Sequence, residues 1–198
     1  MCRWEWVDSS SAFEDLLPRA KAGDRSAIGH IWRTHQPRLL GWLKAVAPDV
    51  AEDLASETWF EVVRAFSRFK GNEADFRSWL FATARRRLID HRRRAARRPD
   101  PLTAVMPEVV DYSNPEDAAL NALGSEQAVQ MILSVLPPDQ AEVVLLRVLG
   151  GLDAAHAAEV LGKQAGAVRV LQHRGLRKLA EVLQADGEKE KLREDVTN

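Results

Sequence analysis

The sequence predicts an all-α protein built from two small helical domains joined by a flexible linker. Apolar residues recur at spacings of three and four along most of the 198 residues, whereas alternating β-branched runs are missing. A proline-containing stretch without helical periodicity, with Pro99, Pro101 and Pro107, interrupts the pattern near the middle of the chain. The resulting division is a first domain over 11–98, a linker over 99–114, a second domain over 115–185 and a charged tail over 186–198.

Turn residues divide the first domain into four helices. Gly23-Asp24 ends the first helix, and Pro48-Asp49 ends the second. Pro37 lies inside the second helical stretch and either kinks it or begins a new helix there. The first helix is expected to be capped by Ser10 or Ser11. The expected helices cover about 11–22, 25–46, 50–69 and 75–97.

The second domain contains the pattern of a helix-turn-helix. Asn114-Pro115 is a strong helix start, because Asn caps well and Pro fits the first turn. A short helix, a turn at Gly162 and a longer basic helix then follow one another. An ordinary pair of packed helices with a solvated basic face explains this pattern equally well. The expected helices cover about 114–136, 140–149, 153–161 and 165–185, with a frayed tail beyond.

Positive charge is concentrated at the end of the first domain. Nine arginines and one acid lie between Phe76 and Arg98, so this stretch carries +8 while the whole chain carries −1. Phosphates are natural counter-charges for such a run, although a solvated charged face is the simpler explanation. Phe69, Phe76 and Trp79 are close in sequence, and aromatic rings beside arginines suit stacking on unpaired bases. A core position explains Trp79 equally well.

The third helix carries a second candidate surface. Asp53, Glu57, Phe60 and Arg64 follow one another at spacings of four, three and four, which places them on one stripe. An exposed phenylalanine among acids is typical of a protein contact. A plain helix surface with Phe60 turned into the core is the alternative.

Several classes of chemistry find no support in the sequence. The single cysteine excludes an internal disulfide and a multi-cysteine zinc site, and the five histidines lack metal-binding spacing. Phosphate-loop, dinucleotide-binding and nucleophile-elbow motifs are missing as well. We therefore expect no catalytic residue, metal or cofactor, and no enzyme. No apolar run approaches the roughly 20 residues that span a bilayer, so a cytoplasmic location is expected.

Three motifs in the same order resemble the extracytoplasmic-function (ECF) group of bacterial RNA polymerase sigma factors. The segment DLASETWF at 53–60 is similar to a pattern commonly written EDL-x-QET-F, with Ser56 where Gln is usual. The stretch from Phe76 to Arg93 resembles the FRxWLFxIAR…IDHxRR block that serves the minus-ten promoter element. Leu136-Pro137-Pro138 and the helix-turn-helix resemble the region that reads the minus-thirty-five element.

The resemblance implies three groups of site residues, carried over by position. The residues expected to bind core polymerase are Asp53, Leu54, Glu57, Phe60 and Arg64. Those expected to capture and hold minus-ten DNA are Lys70, Asn72, Arg77, Trp79, Arg85, Arg86, Arg93 and Arg94. Those expected at the minus-thirty-five groove are Gly166, Arg169, Val170, His173, Arg174 and Arg177.

The implied function is that of a sigma factor, which directs core RNA polymerase to promoter DNA and helps to melt the minus-ten region. An anti-sigma protein is an expected partner that could wedge between the two domains. The family usually has acidic residues where Ala155 and His156 stand, and Ser and Arg where Val170 and Leu171 stand. The changes at Val170 and Leu171 remove polar DNA contacts from the second domain. A stand-alone helix-turn-helix regulator and a sigma-like interaction scaffold are therefore alternatives.

Overall fold

The computed structural model describes the backbone of residues 9–97 and 126–197 and the side chains of residues 13–97 and 126–185. These residues form helices and turns and no strand, which confirms the predicted fold class. The expected linker and the helix start at Asn114-Pro115 lie outside them. None of the described helices is long and apolar enough to cross a membrane.

Four helices form the first half of the molecule. They are α1 (Ser9–Lys21), α2 (Arg25–Val46), α3 (Ala51–Ala65) and α4 (Glu73–Arg97), with short 3-10 turns at Pro48–Val50 and Phe66–Arg68. Asp24 begins α2 by accepting hydrogen bonds from the backbone N–H groups of Ser26 and Ala27. The preceding Gly23 has a φ of 86°, a conformation that favours glycine.

The helix bounds differ from the sequence prediction at several places. Helix α1 already begins at Ser9, so Ser10 and Ser11 lie inside it. Helix α2 continues through Pro37, and no new helix begins there. Helix α4 begins two residues earlier than expected, because the Asn72 side chain accepts from the N–H groups of Ala74 and Asp75.

The second half contains α5 (126–135), α6 (Pro138–Val148), α7 (Ala154–Leu161) and α8 (Ala165–Thr197). Asp153 caps α7 through the N–H groups of Ala155 and His156. Gly162 then ends α7 in the left-handed region with a φ of 62°. Together α7, this turn and α8 have the predicted helix-turn-helix layout. The prediction of a frayed tail is wrong for the backbone, because α8 continues to Thr197.

Aromatic side chains fill the core of the first half. Phe76 is fully buried, and its ring lies 5.1–6.3 Å from the rings of six neighbours on α1, α2, α3, the turns and α4. These neighbours are Phe13, His35, Trp59, Phe66, Phe69 and Trp79. The cluster therefore joins every helix of this half at one point.

Aliphatic and small side chains fill the core of the second half. Ala157, Ala158, Leu161 and Val168 are buried, and Leu171 packs against them while partly exposed. The small alanines allow α7 and α8 to approach closely, as the sequence predicts.

The two halves pack directly against each other. Helix α4 lies along α7, and α2 contacts α6. The turn between α6 and α7 is tight against the first half: a Cβ atom on Gly151 would lie 2.4 Å from Nη1 of Arg38. A Cβ atom on Gly150 would lie 3.2 Å from the ring of Phe81. A side chain at Gly151 would therefore require the end of the Arg38 side chain to move.

His35 is a buried titratable group in the first half. It is 3% exposed, and burial, with added repulsion from Arg77 and Arg38, lowers its pKa to about 4. The Glu73 carboxylate lies 3.8 Å from Nε2 of His35, but the imidazole is neutral near pH 7, so this contact is no ion pair there.

Folding stability should therefore fall as the pH drops from about 6.5 to 4. The unfolded chain takes up a proton at His35 in this range, whereas the folded chain does not. Protonation of His35 in the unfolded chain should lower the free energy of unfolding by about 3 kcal/mol across this range. Urea unfolding at several pH values in this range should show that the free energy of unfolding falls less for His35→Gln than for the wild type. His30→Gln, which changes an exposed histidine, should keep the wild-type dependence of the free energy of unfolding on pH. The same dependence in all three proteins would show that His35 is not the group responsible.

Candidate nucleic-acid interface

A cavity opens beside the loop that joins α3 to α4. Phe69 and Trp79 stack at its wall, with ring centroids 5.2 Å apart and planes inclined by 14°. Trp79 is half-buried, so one part of its ring belongs to the core and the other part lines the cavity. An aromatic wall of this kind suits the face of an unpaired base.

Polar side chains surround the aromatic wall. Lys70 is exposed at the cavity, and Asp75 and Ser78 line it from α4. The Asn72 N–H donates to Oδ2 of Asp75 at 2.8 Å and lowers the pKa of that carboxyl, which keeps it ionised. Asn72 itself acts as the cap of α4, so it shapes the loop.

One side chain of the cavity comes from the second half of the molecule. Glu159 of α7 lines it, and its Oε2 accepts a hydrogen bond of 3.0 Å from the Ser78 hydroxyl. The sequence provided no signal for this position, because Glu159 and Ser78 are 81 residues apart.

The arginine run of α4 has more protein partners than the sequence suggests. The Nε atom of Arg85 donates to Glu142 of α6 at 2.8 Å. Arg86 lies 3.3 Å from a carboxylate oxygen of Glu61 on α3, and Arg87 lies 2.7 Å from the other oxygen. Arg85 and Arg86 therefore have carboxylate partners within the protein.

The end of α4 provides the exposed positive charge. Arg93, Arg94 and Arg97 are exposed and form no ion pair with any side chain of 13–97 or 126–185. Arg92 donates to the carbonyl of Val46 at 2.8 Å. The exposed positive charge of α4 is therefore concentrated in its last two turns.

Arg77 does not lie at the cavity. It is half-buried near Gly151 and contributes to lowering the pKa of His35. Its Nε atom is buried and has no hydrogen-bond partner in the described residues. The placement of Arg77 among the minus-ten contacts therefore disagrees with the structure.

The outer face of α3 is an exposed stripe with an aromatic centre. Phe60 is 65% exposed, Asp53 is exposed, and the Arg64 guanidinium lies 5.4 Å from the centre of the Phe60 ring. The alternative that Phe60 turns into the core is therefore wrong. Glu57 is on the same stripe and lies 3.6 Å from Arg87.

Leu54 differs from its neighbours on this helix. It is 3% exposed and packs in the core, so its prediction as a direct contact is wrong. Trp32 on α2, which the motif did not indicate, is 44% exposed and lies one turn before Gln36. Gln36 accepts a hydrogen bond of 2.6 Å from Trp59 of α3, which places this side of α2 next to α3. Trp32 therefore adds exposed apolar surface on α2.

Helix α8 presents a separate basic face at its start. Its exposed side chains include Arg169, Val170, His173, Arg174 and Arg177. Gly166 is also exposed, and a Cβ atom there would meet nothing within 4 Å. Leu171, by contrast, packs against the core, so its apolar character serves the helix-turn-helix.

His156 lies between the two halves. Its Nε2 is 3.4 Å from Oδ1 of Asp75 on α4, and its Nδ1 is 2.9 Å from Oδ2 of Asp153. Burial lowers the pKa of His156, but the hydrogen bonds to Asp153 and Asp75 and the charges of Asp153 and Glu159 outweigh it, so the pKa is raised. The carboxylates thus favour the protonated imidazole. Within the described residues, no cluster of three His, Cys, Asp or Glu side chains suits a metal ion.

Comparison with known proteins gives two family matches. Residues 31–98 match the model of sigma-70 region 2, and residues 126–179 match the model of sigma-70 region 4. The first match contains the aromatic wall of the cavity and the stripe on α3, and the second contains the helix-turn-helix.

Individual proteins are similar over most of the chain. The ECF RNA polymerase sigma factor BldN of Streptomyces coelicolor is 34% identical over 184 residues, which cover 91% of this chain and 69% of that protein. The ECF RNA polymerase sigma factor ShbA of Streptomyces griseus is 36% identical over 185 residues, which cover 87% of this chain and 95% of that protein. The solved structure of CnrH in complex with the cytosolic domain of CnrY has the same fold, with a TM-score of 0.61 and 23% identity over 88% of this chain and 99% of that chain.

The different placements of Leu54 and Phe60 predict different effects of truncation. Leu54→Ala should lower the free energy of unfolding by about 2–5 kcal/mol, because it leaves a cavity in the core. Phe60→Ala should change it by no more than about 0.5 kcal/mol, because the ring is largely solvated. Urea unfolding measures both values, and a large loss for Phe60→Ala would show that this ring supports the fold.

Proposed function

Because this chain belongs to the ECF RNA polymerase sigma factors, we propose that its two halves divide promoter recognition between them. The first half binds core polymerase and the minus-ten element, and the second half reads the minus-thirty-five element. The chain itself is no enzyme: it gives the polymerase sequence specificity and stabilises the melted DNA.

The stacked Phe69 and Trp79 carry the proposal for minus-ten recognition. A base that leaves the duplex loses its stacking neighbours, which costs a few kcal/mol, and an aromatic wall offsets part of that cost. Lys70 borders the cavity and suits a phosphate, while Arg93 and Arg94 extend the positive surface along α4. This arrangement supports capture of single-stranded rather than duplex DNA.

The stripe on α3 supports a role in polymerase binding. Phe60 provides the apolar anchor, and Asp53 and Glu57 provide negative charge around it. Interfaces concentrate their binding energy in a few such anchors. We propose that Arg64 holds the Phe60 ring in place by its position over the ring face.

The start of α8 supports reading of duplex DNA. Arg169 and His173 are four residues apart and both exposed, so they face the same groove. Arg174 and Arg177 suit the flanking phosphates. We further propose the cytoplasm as the site of action and an anti-sigma protein as the regulatory partner, both as properties expected of this family.

Reconstituted transcription tests the proposed function. Core polymerase supplied with this chain should initiate specifically from some members of a promoter library. Absence of specific initiation from every member would contradict the proposal. Promoter-specific binding that needs no polymerase would instead favour a stand-alone regulator.

The proposed anchor on α3 predicts the effect of a double substitution. Asp53→Ala with Phe60→Ala should lower affinity for core polymerase at least tenfold, while the circular dichroism spectrum stays that of the wild type. Binding to immobilised core polymerase gives the affinity. Ser56→Ala, on the same helix but outside the anchor, is the control, and wild-type affinity of the double variant would refute the docking face.

The division of DNA contacts predicts two kinds of defect. Arg169→Ala should change promoter preference, because loss of a base contact costs about 1–3 kcal/mol at the position that it reads. Arg93→Ala should weaken binding to all promoters alike. It should also reduce the slope of log affinity against log salt concentration by about one. Binding of the reconstituted holoenzyme to the library measures both. Identical patterns for the two variants would contradict the division.

A further inference from the structure

An apolar side chain lies in the middle of the basic face at the start of α8. Val170 is 49% exposed and does not belong to the core of the second half. Arg169 precedes it, and His173 and Arg174 follow it about one turn later, all three with exposed side chains. The surface that Val170 leaves exposed is therefore available to a partner that also suits basic side chains.

Helical spacing places Val170 near the centre of this face. Residues three or four apart share one side of a helix, so Val170 lies beside Gly166 one turn earlier and His173 one turn later. Val168 and Gly175 are buried on the opposite side of α8. Val170 therefore points away from the core and toward whatever the start of α8 binds.

Gly166 leaves space next to Val170. Its backbone does not adopt a positive φ, and a Cβ atom at this position would meet nothing within 4 Å. Neither the local conformation nor the packing of the described residues requires a glycine here. The missing side chain allows a bound surface to come close to the backbone at the start of α8.

The charges around Val170 fit a nucleic acid. Arg169 and Arg174 form no ion pair with the side chains of 13–97 or 126–185, and the first turn of α8 contains no acid. Further along the helix, Arg177 lies 3.5 Å from a carboxylate oxygen of Glu181. Phosphate contacts by Arg169 and Arg174 would fix α8 on a duplex, with Val170 toward the base edges.

We propose that Val170 contacts the methyl group of a thymine in the major groove and makes thymine the preferred base at one position of the DNA that α8 binds. The valine side chain has no hydrogen-bond donor or acceptor, so it distinguishes bases by apolar contact alone. Thymine is the base that presents a methyl group in the major groove. This inference rests on the proposed function of α8 and identifies part of the sequence that it reads.

Selection of DNA by the wild type and by Val170→Ala tests the proposal. The probe is a library of promoter duplexes randomised across the minus-thirty-five region, bound by the full chain in complex with core polymerase. The wild type should enrich thymine at one position at least, and Val170→Ala should lose that enrichment and keep the others. Alanine favours a helix more than valine does, so Val170→Ala should keep the wild-type circular dichroism spectrum.

Val148→Ala is the matched control, because it truncates another exposed valine, on α6 instead of α8. It should enrich the same bases as the wild type. A thymine preference that Val170→Ala retains in full, or one that Val148→Ala loses to the same extent, overturns the proposal.

Removal of the methyl group from the DNA gives a second measurement. The enriched duplex is made again with deoxyuridine in place of that thymine, which deletes the methyl group and keeps the base pair. The wild type and Val148→Ala should bind this duplex about fourfold more weakly, the ratio that corresponds to burial of one methyl group. Val170→Ala should bind both duplexes equally. An equal loss for the wild type and Val170→Ala, or no loss for the wild type, overturns the proposal.

Transcription with core polymerase, together with the same selection by the free chain, separates this proposal from the proposed function. Specific initiation by the wild type with a thymine preference that does not depend on Val170 overturns the methyl contact alone. Thymine enrichment by the free chain that Val170→Ala abolishes, without initiation from any promoter, keeps the methyl contact and overturns the sigma-factor role.

Discussion

Burial of Phe76 is the interaction on which the first half depends. Its ring contacts six others, and these come from every helix of that half. Phe69 and Trp79 belong to both this cluster and the cavity, so the position of the cavity wall is fixed by core packing. A rigid wall loses little entropy when a base stacks on it, which is the physical advantage of building a binding site on a core.

Helix α4 connects the functions of the molecule because its sides have different partners. One side packs in the aromatic core, another contacts α7 and α6, and the final turns carry exposed arginines. Arg87 crosses to α3, where it meets Glu57 and Glu61. Arg87 therefore connects the helix of the proposed DNA site to the helix of the proposed polymerase site.

Local patterns predicted the fold class, the helix-turn-helix and the exposure of Phe60. These features depend on periodicity, caps and turn residues within a few positions of one another. Sequence could not place Arg77 beside Gly151 or Arg85 beside Glu142, because these pairs are far apart in the chain and form only when the halves pack. Leu54 was predicted to bind polymerase because it lies within the motif. A motif contains both residues that contact a partner and core residues that support them, and the sequence does not distinguish the two.

Packing between the halves explains why a histidine suits position 156, where the family usually has an acidic residue. An acid at this position would face the Asp75 carboxylate, whereas an imidazole with a raised pKa attracts it. The helix-turn-helix half thus contacts the first half through α7 and leaves the start of α8 exposed, where we propose that it reads duplex DNA. We expect α4 and α7 to separate when the two proposed DNA sites are occupied together.

The distance between the halves tests this account most directly. Spin labels at Thr34→Cys on α2 and Lys178→Cys on α8, in a Cys2→Ser background, occupy exposed sites outside the proposed interfaces. Electron–electron double resonance should give one short, narrow distance for the free chain and a longer one in the complex with core polymerase and promoter DNA. The same distance in both states, or a broad long distance in the free chain, would contradict the account.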